Sequence, residues 1–510
     1  MFTGALTGAG LGVPLLAVTY LGWQALGLPF AAFDLFTLAV RLLPGQAISA
    51  AVEVMVAALH ALGPGSTARL AKYFEGSIAL ALFLMVLALL GALYGAVSQR
   101  RVDDRPALRG AILGIALWSL LLPLGLWAGW QFSGLAWTLA LSLAWGVSLG
   151  LTVQAWAAVA SVSVRHGRRQ FLARLSAGAL AVSALGLGLG WLLKRPESNL
   201  TTAASGPAPP TPLGEPDGFS PVPGARSDLT PVADFYRVDI KLDPPRPDIA
   251  AWRLEVGGLV DRPLRLSYVD LSAMRAEDFY ATLECISNSV GGNLISTTWF
   301  TGVPLREVLD HAGLQPGVLD IKFTCADGYS ESLPLDSALH PETRLCLAMG
   351  GAPLTPEHGF PVRLFTPNRF GMKNPKWIVK VEALAEDYLG FWEKRGWSEP
   401  AWVKTTSVID ASQAAGPGAL NVGGIAYAGA RGISRVEARV DDGEWIEAEL
   451  KPPLSGLSWV LWRAHVIAPP GRRRLTVRAT DGDGALQTER RARALPNGAT
   501  GYHSISVNAG

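Results

Sequence analysis

Cys285 has the most suggestive chemical setting among the three cysteines of this 510-residue chain. The segment 282–288 has the sequence Thr-Leu-Glu-Cys-Ile-Ser-Asn, so a strand-like run leads into the cysteine and small polar residues follow it. A lone cysteine is most often a small buried hydrophobic residue, whereas a thiolate can bind a soft metal or attack a substrate. Spacing alone leaves these alternatives open. Cys325 and Cys346 stand in apolar, strand-like surroundings and are interpreted as core residues.

A second group of candidate residues borders a predicted strand at 362–366. His358 and Arg363 begin and end the sequence His-Gly-Phe-Pro-Val-Arg, and the segment 371–377 has the sequence Gly-Met-Lys-Asn-Pro-Lys-Trp. Arg and Lys bind phosphate, and glycine lets backbone donors approach a ligand closely. These loops therefore suit an anionic ligand, with a solvated loop as the alternative.

The elements that position these residues are predicted to be mixed α+β. Alternating patterns predict strands at 252–256, 264–266 and 320–323, in addition to the one at 362–366. A short capped helix is expected at 267–274, and another begins near Arg306 and ends at Gly313. After about residue 400, short strands separated by Gly and Asp turns predict a β-sandwich without helices.

Charge divides the chain into two parts. Residues 1–199 carry 13 Lys or Arg and 6 Asp or Glu, and the remaining residues carry 31 and 36. The net charges are therefore +7 and −5, and the overall charge of +2 is a cancellation. Such a charge-poor first part excludes a single soluble globule, and the balance gives no reason to expect a nucleic-acid partner.

Five apolar stretches in the first part predict membrane-spanning helices, because about 20 apolar residues cross a bilayer. They lie at 6–28, 76–97, 175–193 and twice within 110–164, where residues 131–134 form the break. For residues 33–73 an interfacial or re-entrant helix near 47–62 is preferred, with a sixth span as the alternative. Arginine-rich loops at 100–109 and 165–174 indicate a cytoplasmic N-terminus, which places the chain after residue 193 on the outer, periplasmic side of the inner membrane.

Arg168 and Arg169 precede Gln-Phe-Leu and an apolar run, which resembles a twin-arginine signal for the export of folded proteins. An ordinary basic anchor is the alternative. The segment 196–230 is rich in Pro, Gly, Ser and Thr and predicts a linker. The sequence thus predicts a membrane domain at 1–195, a linker at 196–230, and two further domains at 231–400 and 401–510.

The segments around Cys285, Arg363 and Lys376, taken in this order, resemble the sulfite oxidase family of molybdenum enzymes from about residue 235 to residue 510. The family's Cys-Ala-Gly-Asn element corresponds to 285–288, and its His-Gly-x-Pro-x-Arg element to 358–363. The resemblance implies a multi-domain fold class: an α-helical transmembrane bundle, an α+β molybdopterin-binding (sulfite oxidase) fold and an immunoglobulin-like β-sandwich. The family uses the last domain for dimerisation, so a homodimer is expected.

The resemblance also implies roles for individual residues. It makes Cys285 the thiolate ligand of molybdenum, and it makes Asn288 and Arg237 further catalytic residues. The residues that it implies for binding the molybdopterin are Tyr236, Arg237, Cys285, Asp327, His358, Arg363, Asn374, Pro375 and Lys376. The implied reaction is oxygen-atom transfer to or from a small oxo-compound, with the cofactor carrying the redox chemistry.

Two departures from the family pattern bear on the substrate. Sulfite-oxidising members have two arginines after the Cys-x-x-Asn element, where this chain has Ser289 and Val290. They also carry a tyrosine before the glycine turn at Met349, and this chain lacks it. Both differences remove groups that bind a small oxyanion, so neither sulfite nor the methionine sulfoxide reduced by bacterial periplasmic members is assigned.

Histidine usage bears on the route of electrons. His60 and His166 are the two histidines before the linker, whereas a transmembrane b-type haem usually needs two buried histidine ligands. No haem is therefore expected, and the predicted electron partner is a separate redox protein or a quinone. The alternative to an enzyme is a non-catalytic membrane receptor or scaffold that uses the same folds.

Overall fold

The structure is a computed structural model, and it describes residues 1–48, 50–51, 54, 67–98, 105–161, 165–193, 209–212 and 218–509. The chain folds into two compact units. The first comprises Met1–Leu42, Lys72–Asn199 and Lys241–Asp243, and the second comprises Leu43–Ala71, Leu200–Ile240 and Pro244–Gly510.

The first unit is helical. The helices in its described part are Phe2–Leu26 (α1), Ala31–Leu42 (α2), Thr67–Ser98 (α3), Pro106–Trp127 (α4), Phe132–Ser161 (α5) and Arg165–Leu192 (α6). Within the described residues, α1, α3, α4 and α5 are long and apolar enough to cross a membrane. The apolar stretch of α6, Ser176–Leu192, is shorter, so the predicted fifth span stays a prediction.

Glycine allows close contact between these helices. A Cβ on Gly4 of α1 would lie 2.2 Å from the carbonyl oxygen of Gly91 in α3. A Cβ on Gly110 of α4 would lie 2.3 Å from the carbonyl oxygen of Gly146 in α5. Such small-residue contacts are a common way of packing apolar helices, because the backbones can approach and gain van der Waals contact.

Several predictions for the N-terminal part of the chain fall wholly or partly on residues outside those that the structure describes. The predicted break between two helices is present but lies at 128–131 rather than 131–134, since α4 ends at Trp127 and α5 begins at Phe132. The ambiguous stretch 33–73 begins inside α2, but the predicted interfacial helix at 47–62 lies mostly outside the described residues. Much of the predicted linker and the side chains of Arg168 and Arg169 lie outside them as well.

The part of the second unit that follows the predicted linker begins with two five-stranded sheets. Their strands are Leu254–Gly258 (β1), Leu264–Leu266 (β2), Glu277–Glu284 (β3), Ile295–Pro304 (β4), Asp320–Cys325 (β5), Ser330–Pro334 (β6), Arg344–Met349 (β7), Ala352–Pro353 (β8), Arg363–Phe365 (β9) and Ile378–Leu384 (β10). One sheet has the order β2-β1-β10-β5-β6, and the other has the order β3-β4-β7-β8 with β9 paired to β7. The short helices are Tyr268–Ser272 (α7), Leu305–Ala312 (α8) and Leu335–Ala338 (α9). A buried core joins both sheets to α8, through residues that include Leu254, Val308, Phe323 and Leu364.

Local sequence signals specify several of these elements as predicted. Ser267 caps α7, accepting from the backbone N–H of Asp270 while the Asp270 carboxylate accepts from the backbone N–H of Ser267. This capping box satisfies two N–H groups that a helix start leaves unpaired. Helix α8 ends at Gly313, whose φ of 71° suits glycine, and β2 covers the predicted residues 264–266.

From residue 406 onward the regular elements of the described chain are strands, which confirms the predicted loss of helices. They are Thr406–Ala414 (β11), Ala419–Tyr427 (β12), Ile433–Val440 (β13), Ile446–Glu447 (β14), Glu449–Leu450 (β15), Val460–Ile467 (β16), Gly471–Asp481 (β17) and His503–Ala509 (β18). Two antiparallel four-stranded sheets, β11-β12-β16-β15 and β14-β13-β17-β18, share a core around Val422, Val436, Trp462 and Val477. Whether these sheets have an immunoglobulin-like arrangement stays a prediction.

Candidate functional site

Cys285 stands at the end of β3, in a tight turn. Its backbone N–H donates to the carbonyl of Leu294 at 2.9 Å, and the backbone N–H of Asn288 donates to the carbonyl of Cys285 at 2.9 Å. The thiol is buried, and its Sγ lies 3.0 Å from the Ser287 hydroxyl oxygen. The strand and the turn therefore hold the sulfur in one place, as the sequence predicted for a residue that follows a strand.

Asn288 shapes this turn with both ends of its amide. Its Nδ2 donates to Glu284 Oε1 at 2.9 Å, and its Oδ1 accepts from the backbone N–H of Leu294 at 3.0 Å. The side chain is buried. The structure thus gives Asn288 a part in holding the cysteine turn, whereas the sequence predicted a catalytic residue.

The surroundings of Cys285 do not stabilise a free thiolate. Burial is the main cause that raises the pKa of its thiol, and the nearby Glu284 acts in the same direction. Reactive cysteines instead have a lowered pKa, produced by cations or a helix N-terminus. A bound metal ion deprotonates its thiol ligand outright, so this buried cysteine fits a metal ligand better than a free nucleophile.

A cavity of about 110 Å³ opens beside Cys285. The predicted site residues that line it are Tyr236, Cys285, Asp327, Asn374, Pro375 and Lys376. The others, Arg237, Asn288, His358 and Arg363, do not line it. The fold therefore collects six predicted residues from separate segments around one space.

Two loops place the polar wall of the cavity. Asn374 closes one of them, because its Oδ1 accepts from the backbone N–H of Thr366 at 2.7 Å and its Nδ2 donates to the carbonyl of Phe370 at 3.1 Å. Tyr236 packs beside Cys285, and a Cβ on Gly371 would lie 2.3 Å from its hydroxyl oxygen. Glycine at 371 is therefore needed for the tyrosine to reach this position.

A cluster of cations adjoins the cavity at Lys376. The buried carboxylate of Asp239 accepts hydrogen bonds from both Arg237 and Lys376. The Lys376 ammonium also lies 4.5 Å from the centre of the Trp377 ring. Burial is the main cause that lowers the pKa of Lys376 to about 8, with Arg237 and Arg363 adding to the effect and Asp239 opposing it.

Arg363 is the least satisfied member of the cluster. Its Nε is buried without a hydrogen-bond partner in the described part of the chain, and one Nη donates to the carbonyl of His358 at a long 3.4 Å. Burial lowers the pKa of the guanidinium. The cluster is also tight, because a Cβ on Gly359 would lie 3.0 Å from Lys376 Cβ and 3.1 Å from Arg363 Cβ.

His358 belongs to the same cluster but carries no charge at neutral pH. Burial, Lys376 and Arg363 together lower the pKa of its ring to about 3. Its Nε2 lies 3.0 Å from the carbonyl oxygen of Val232, to which a neutral ring can donate. His358 therefore orders the loop around the cations rather than adding a charge for an anion.

The donor set of this site fits a phosphate-bearing cofactor. Arg237 and Lys376 both pair with one carboxylate, Asp239, and the buried Arg363 beside them has no ion pair within the described residues, so cations outnumber carboxylates in this group. Buried charges are costly unless an opposite charge and hydrogen bonds compensate them. The unpaired Nε of Arg363 shows that such compensation is incomplete within the described residues. An anionic phosphate would supply it.

The wall residues that have no place in the sequence predictions include Asp239, Tyr329, Trp392 and Trp397. They come from loops and from a 3-10 region far apart in the sequence, so no spacing marks them. Asp239 follows Arg237 by two residues in the sequence. Ion pairs on a protein surface have the same spacing, so the spacing does not indicate that the Asp239 carboxylate is buried at a site. Their burial in the folded chain is the signal that was missing.

Comparison with known proteins agrees with this geometry. Residues 241–392 match the family described as the oxidoreductase molybdopterin binding domain. That match defines the class: this chain is a molybdopterin-dependent oxidoreductase. The uncharacterized oxidoreductase YuiH of Bacillus subtilis is 33% identical over 150 residues, which are 29% of this chain and 74% of that protein.

Further relatives narrow the class to a family. The sulfite oxidase of Arabidopsis thaliana is 27% identical over 274 residues, covering 43% of this chain and 70% of that protein. The crystal structure of the sulfane dehydrogenase SoxCD from Paracoccus pantotrophus covers 57% of this chain and 87% of its own, with 22% identity and a TM-score of 0.50, which shows a shared fold. The chain belongs to the sulfite oxidase family of molybdenum-dependent oxidoreductases. It is therefore an enzyme rather than a scaffold.

Proposed function

We propose that this enzyme exchanges an oxygen atom with a small, uncharged oxo-compound, and passes the electrons to or from a separate redox protein or a quinone. The observation that carries the proposal is the buried Cys285 at the same cavity as Lys376, with the incompletely compensated Arg363 packed beside Lys376 around Gly359. When bound, a molybdenum-molybdopterin cofactor supplies the two-electron redox chemistry. Cys285 would hold the metal, and Arg363 and Lys376 would hold the phosphate.

The remaining wall of the cavity favours an uncharged substrate. Ile286, Met372, Trp392 and Trp397 give it apolar surface close to Cys285. Lys376 is the cation among the described wall residues, and Asp239 neutralises it. An oxyanion such as sulfite would meet aromatic and aliphatic groups there, and desolvation of its charge would be uncompensated.

Trp397 offers one directional contact for a substrate oxygen. Its indole Nε1 is buried and has no hydrogen-bond partner in the described part of the chain. An indole N–H is a donor only, so it suits the oxygen of a sulfoxide or an N-oxide. Trp392 and Met372 lie on the same wall and suit the organic groups of such a compound.

A substrate screen on the full-length, molybdenum-loaded chain tests this proposal. With an artificial electron donor, we expect organic sulfoxides and N-oxides to be reduced with a kcat/KM at least about tenfold above that for nitrate, and above that for sulfite oxidation with an artificial acceptor. Trp397→Phe should raise KM for the preferred oxide by up to about tenfold at nearly unchanged kcat, since one hydrogen bond contributes about 1 kcal/mol.

Trp402→Phe is the matched control for that screen. Trp402 is half-exposed and stacks on Arg369 away from the cavity, so its loss should leave KM unchanged. A chain that oxidises sulfite better than it reduces any oxide would contradict the uncharged substrate. Equal KM values in the wild type and in Trp397→Phe would remove Trp397 from the substrate site.

We also propose that the helices α1, α3, α4 and α5 cross the inner membrane and that the apolar stretch Ser176–Leu192 of α6 crosses it as a fifth span, so that a cytoplasmic N-terminus leaves the catalytic region outside. The supporting observations are their length and apolar character and the arginine-rich loops of the sequence. The two packed sheets at the C-terminus are the proposed immunoglobulin-like domain and homodimer contact. Export after cofactor insertion requires a route for folded proteins, and Arg168 and Arg169 resemble its signal.

Replacing Arg168 and Arg169 by lysines is expected to keep the catalytic region inside the cell. The reason is that a twin-arginine signal requires the arginines themselves, whereas a basic anchor needs only positive charge. Protease added outside spheroplasts should digest the wild-type catalytic region and spare most of that in the variant. Changing Arg105 and Arg109 to lysines is the control, and equal digestion of all three proteins would identify an ordinary anchor.

A further inference from the structure

A second buried cluster of charges lies behind the cavity and has no part in the proposed binding of cofactor or substrate. Lys373 Nζ lies 3.0 Å from Glu331 Oε1 and also contacts the Glu393 carboxylate. All three side chains are at most 1% exposed. Two carboxylates thus face one ammonium in a region without solvent.

The charge count of this cluster leaves room for one proton. With every group ionised the cluster has one negative charge in excess, and with one carboxyl protonated it is neutral. Burial is the main cause that raises the pKa of Glu331 to about 7, with Lys373 opposing and Glu393 adding to the effect. A carboxyl with this pKa gains and loses a proton near neutral pH, which is suitable for acid–base work.

The other titratable groups that face Glu331 stay in one form. Lys373 remains charged, because the two carboxylates raise its pKa against the effect of burial. Burial raises the pKa of Tyr329 and of Cys325 well above their ordinary values, so both stay neutral. The backbone at Gly390 closes the remaining side, since a Cβ there would lie 2.3 Å from Glu331 Oε1.

Tyr329 connects this cluster with the cavity. Its side chain lines the cavity wall, and its hydroxyl oxygen lies 2.8 Å from Glu331 Oε2 and 2.8 Å from the carbonyl oxygen of Met372. A hydroxyl has one proton to donate, so it serves one of these acceptors at a time. When Glu331 is ionised the hydroxyl can donate to it, and when Glu331 is protonated the carboxyl can donate to the hydroxyl.

We propose that Glu331 stores a proton for the reaction in the cavity and exchanges it through the hydroxyl of Tyr329. This inference rests on the proposed oxygen transfer. Reduction of an oxide breaks its bond to oxygen and forms two O–H bonds of water, so it consumes two electrons from the redox partner and two protons. Glu331 supplies one of these protons: the Tyr329 hydroxyl accepts it while giving its own to the cavity, and Glu331 is left as a carboxylate that the same hydroxyl reprotonates from solvent entering the cavity.

The test compares the full-length enzyme with three variants over pH 5–9, using the preferred oxide. We expect wild-type kcat to fall about tenfold per pH unit above about pH 7, where Glu331 is ionised. Glu331→Gln should lower kcat about tenfold at pH 6 and lose this descending limb. Glu393→Gln should move the limb to lower pH, because removal of a neighbouring negative charge lowers the pKa of Glu331. Tyr329→Phe should lower kcat at unchanged KM.

An infrared titration provides a readout that needs no substrate. The carbonyl stretch of a buried, protonated carboxyl should disappear in the wild type as the pH rises through about 7, and Glu331→Gln should lack this change. Glu382→Gln is the matched control, because Glu382 pairs with Lys322 and Lys380 away from the cavity.

The pH profiles and the infrared titration together distinguish failure of the proton store from failure of the proposed oxygen transfer. If no carboxyl signal that depends on Glu331 titrates near pH 7, the proton store is wrong whatever the activity. If the signal is present but the pH profiles of wild type and Glu331→Gln have the same shape, oxygen transfer stands and the proton store is again wrong. A uniform loss of activity at every pH in both glutamate variants would identify a purely structural cluster.

Discussion

Replacing Cys285 by serine is expected to lower turnover at least about 100-fold in the molybdenum-loaded enzyme. Removing partners outside the ligand sphere of a metal already costs about 10- to 100-fold, and here the proposed ligand itself changes from a soft thiolate to a hard hydroxyl. The shape change is small, so the β3 strand and its turn should persist. The measurements are kcat, molybdenum per chain, and the number of sulfur ligands from X-ray absorption, which should fall by one.

Cys346→Ser is the matched control for this experiment. Cys346 is completely buried and lies in β7, away from the cavity wall. Cys346→Ser therefore makes the same chemical change as Cys285→Ser, because it also replaces a buried thiol by a hydroxyl. It does so at a position that has no contact with the proposed metal. It should keep the full sulfur count and most of the turnover per folded chain. An unchanged sulfur count and unchanged turnover in Cys285→Ser would contradict ligation by Cys285.

Replacing Arg363 by methionine is expected to change two properties in opposite directions. Molybdenum content after gel filtration should fall about tenfold or more, because the phosphate loses its most buried cation. The cofactor-free chain should become more stable, since an incompletely compensated buried charge is replaced by an apolar side chain of similar length. A gain of ~1 kcal/mol corresponds to a rise of about 2–4 °C in the melting temperature.

Arg369→Met is the matched control, because Arg369 is a buried arginine that does have hydrogen-bond partners. Arg369 is as buried as Arg363, but it donates to Ser337 Oγ at 2.8 Å and lies 3.5 Å from the centre of the Trp402 ring. Its loss should lower the melting temperature and leave the molybdenum content per folded chain unchanged. If Arg363→Met instead destabilises the cofactor-free chain and binds molybdenum normally, Arg363 has a structural role and does not hold the phosphate.

The features that the sequence predicted best are those determined by residues within one short segment. The cap at Ser267 and the helix end at Gly313 depend on hydrogen bonds and φ angles within a few residues, so their residue types are informative. The position of Cys285 directly after a strand follows from the alternating run before it. The apolar helices could also be predicted, because each is marked by a run of apolar residues within its own segment.

The site residues that the sequence could not predict are brought together by contacts between residues far apart in the chain. Asp239 is a site residue only because Arg237 and Lys376 both bind its carboxylate. Glu331, Lys373 and Glu393 are separated by 20 residues or more, and only the folded chain shows that they are buried together. For Asn288 the motif implied a catalytic role, which stays a prediction, and the structure adds that both ends of its amide bond within the turn that presents Cys285.

The cavity wall includes one residue from the N-terminal part of the sequence. Ile48 lines the cavity beside Cys285, and the segment Leu43–Ala71 that contains it belongs to the same compact unit as the catalytic region. A shortened enzyme that starts at the linker would retain every proposed cofactor contact and still have a gap in its wall. Its rates and selectivity would then describe a different binding space from that of the full chain.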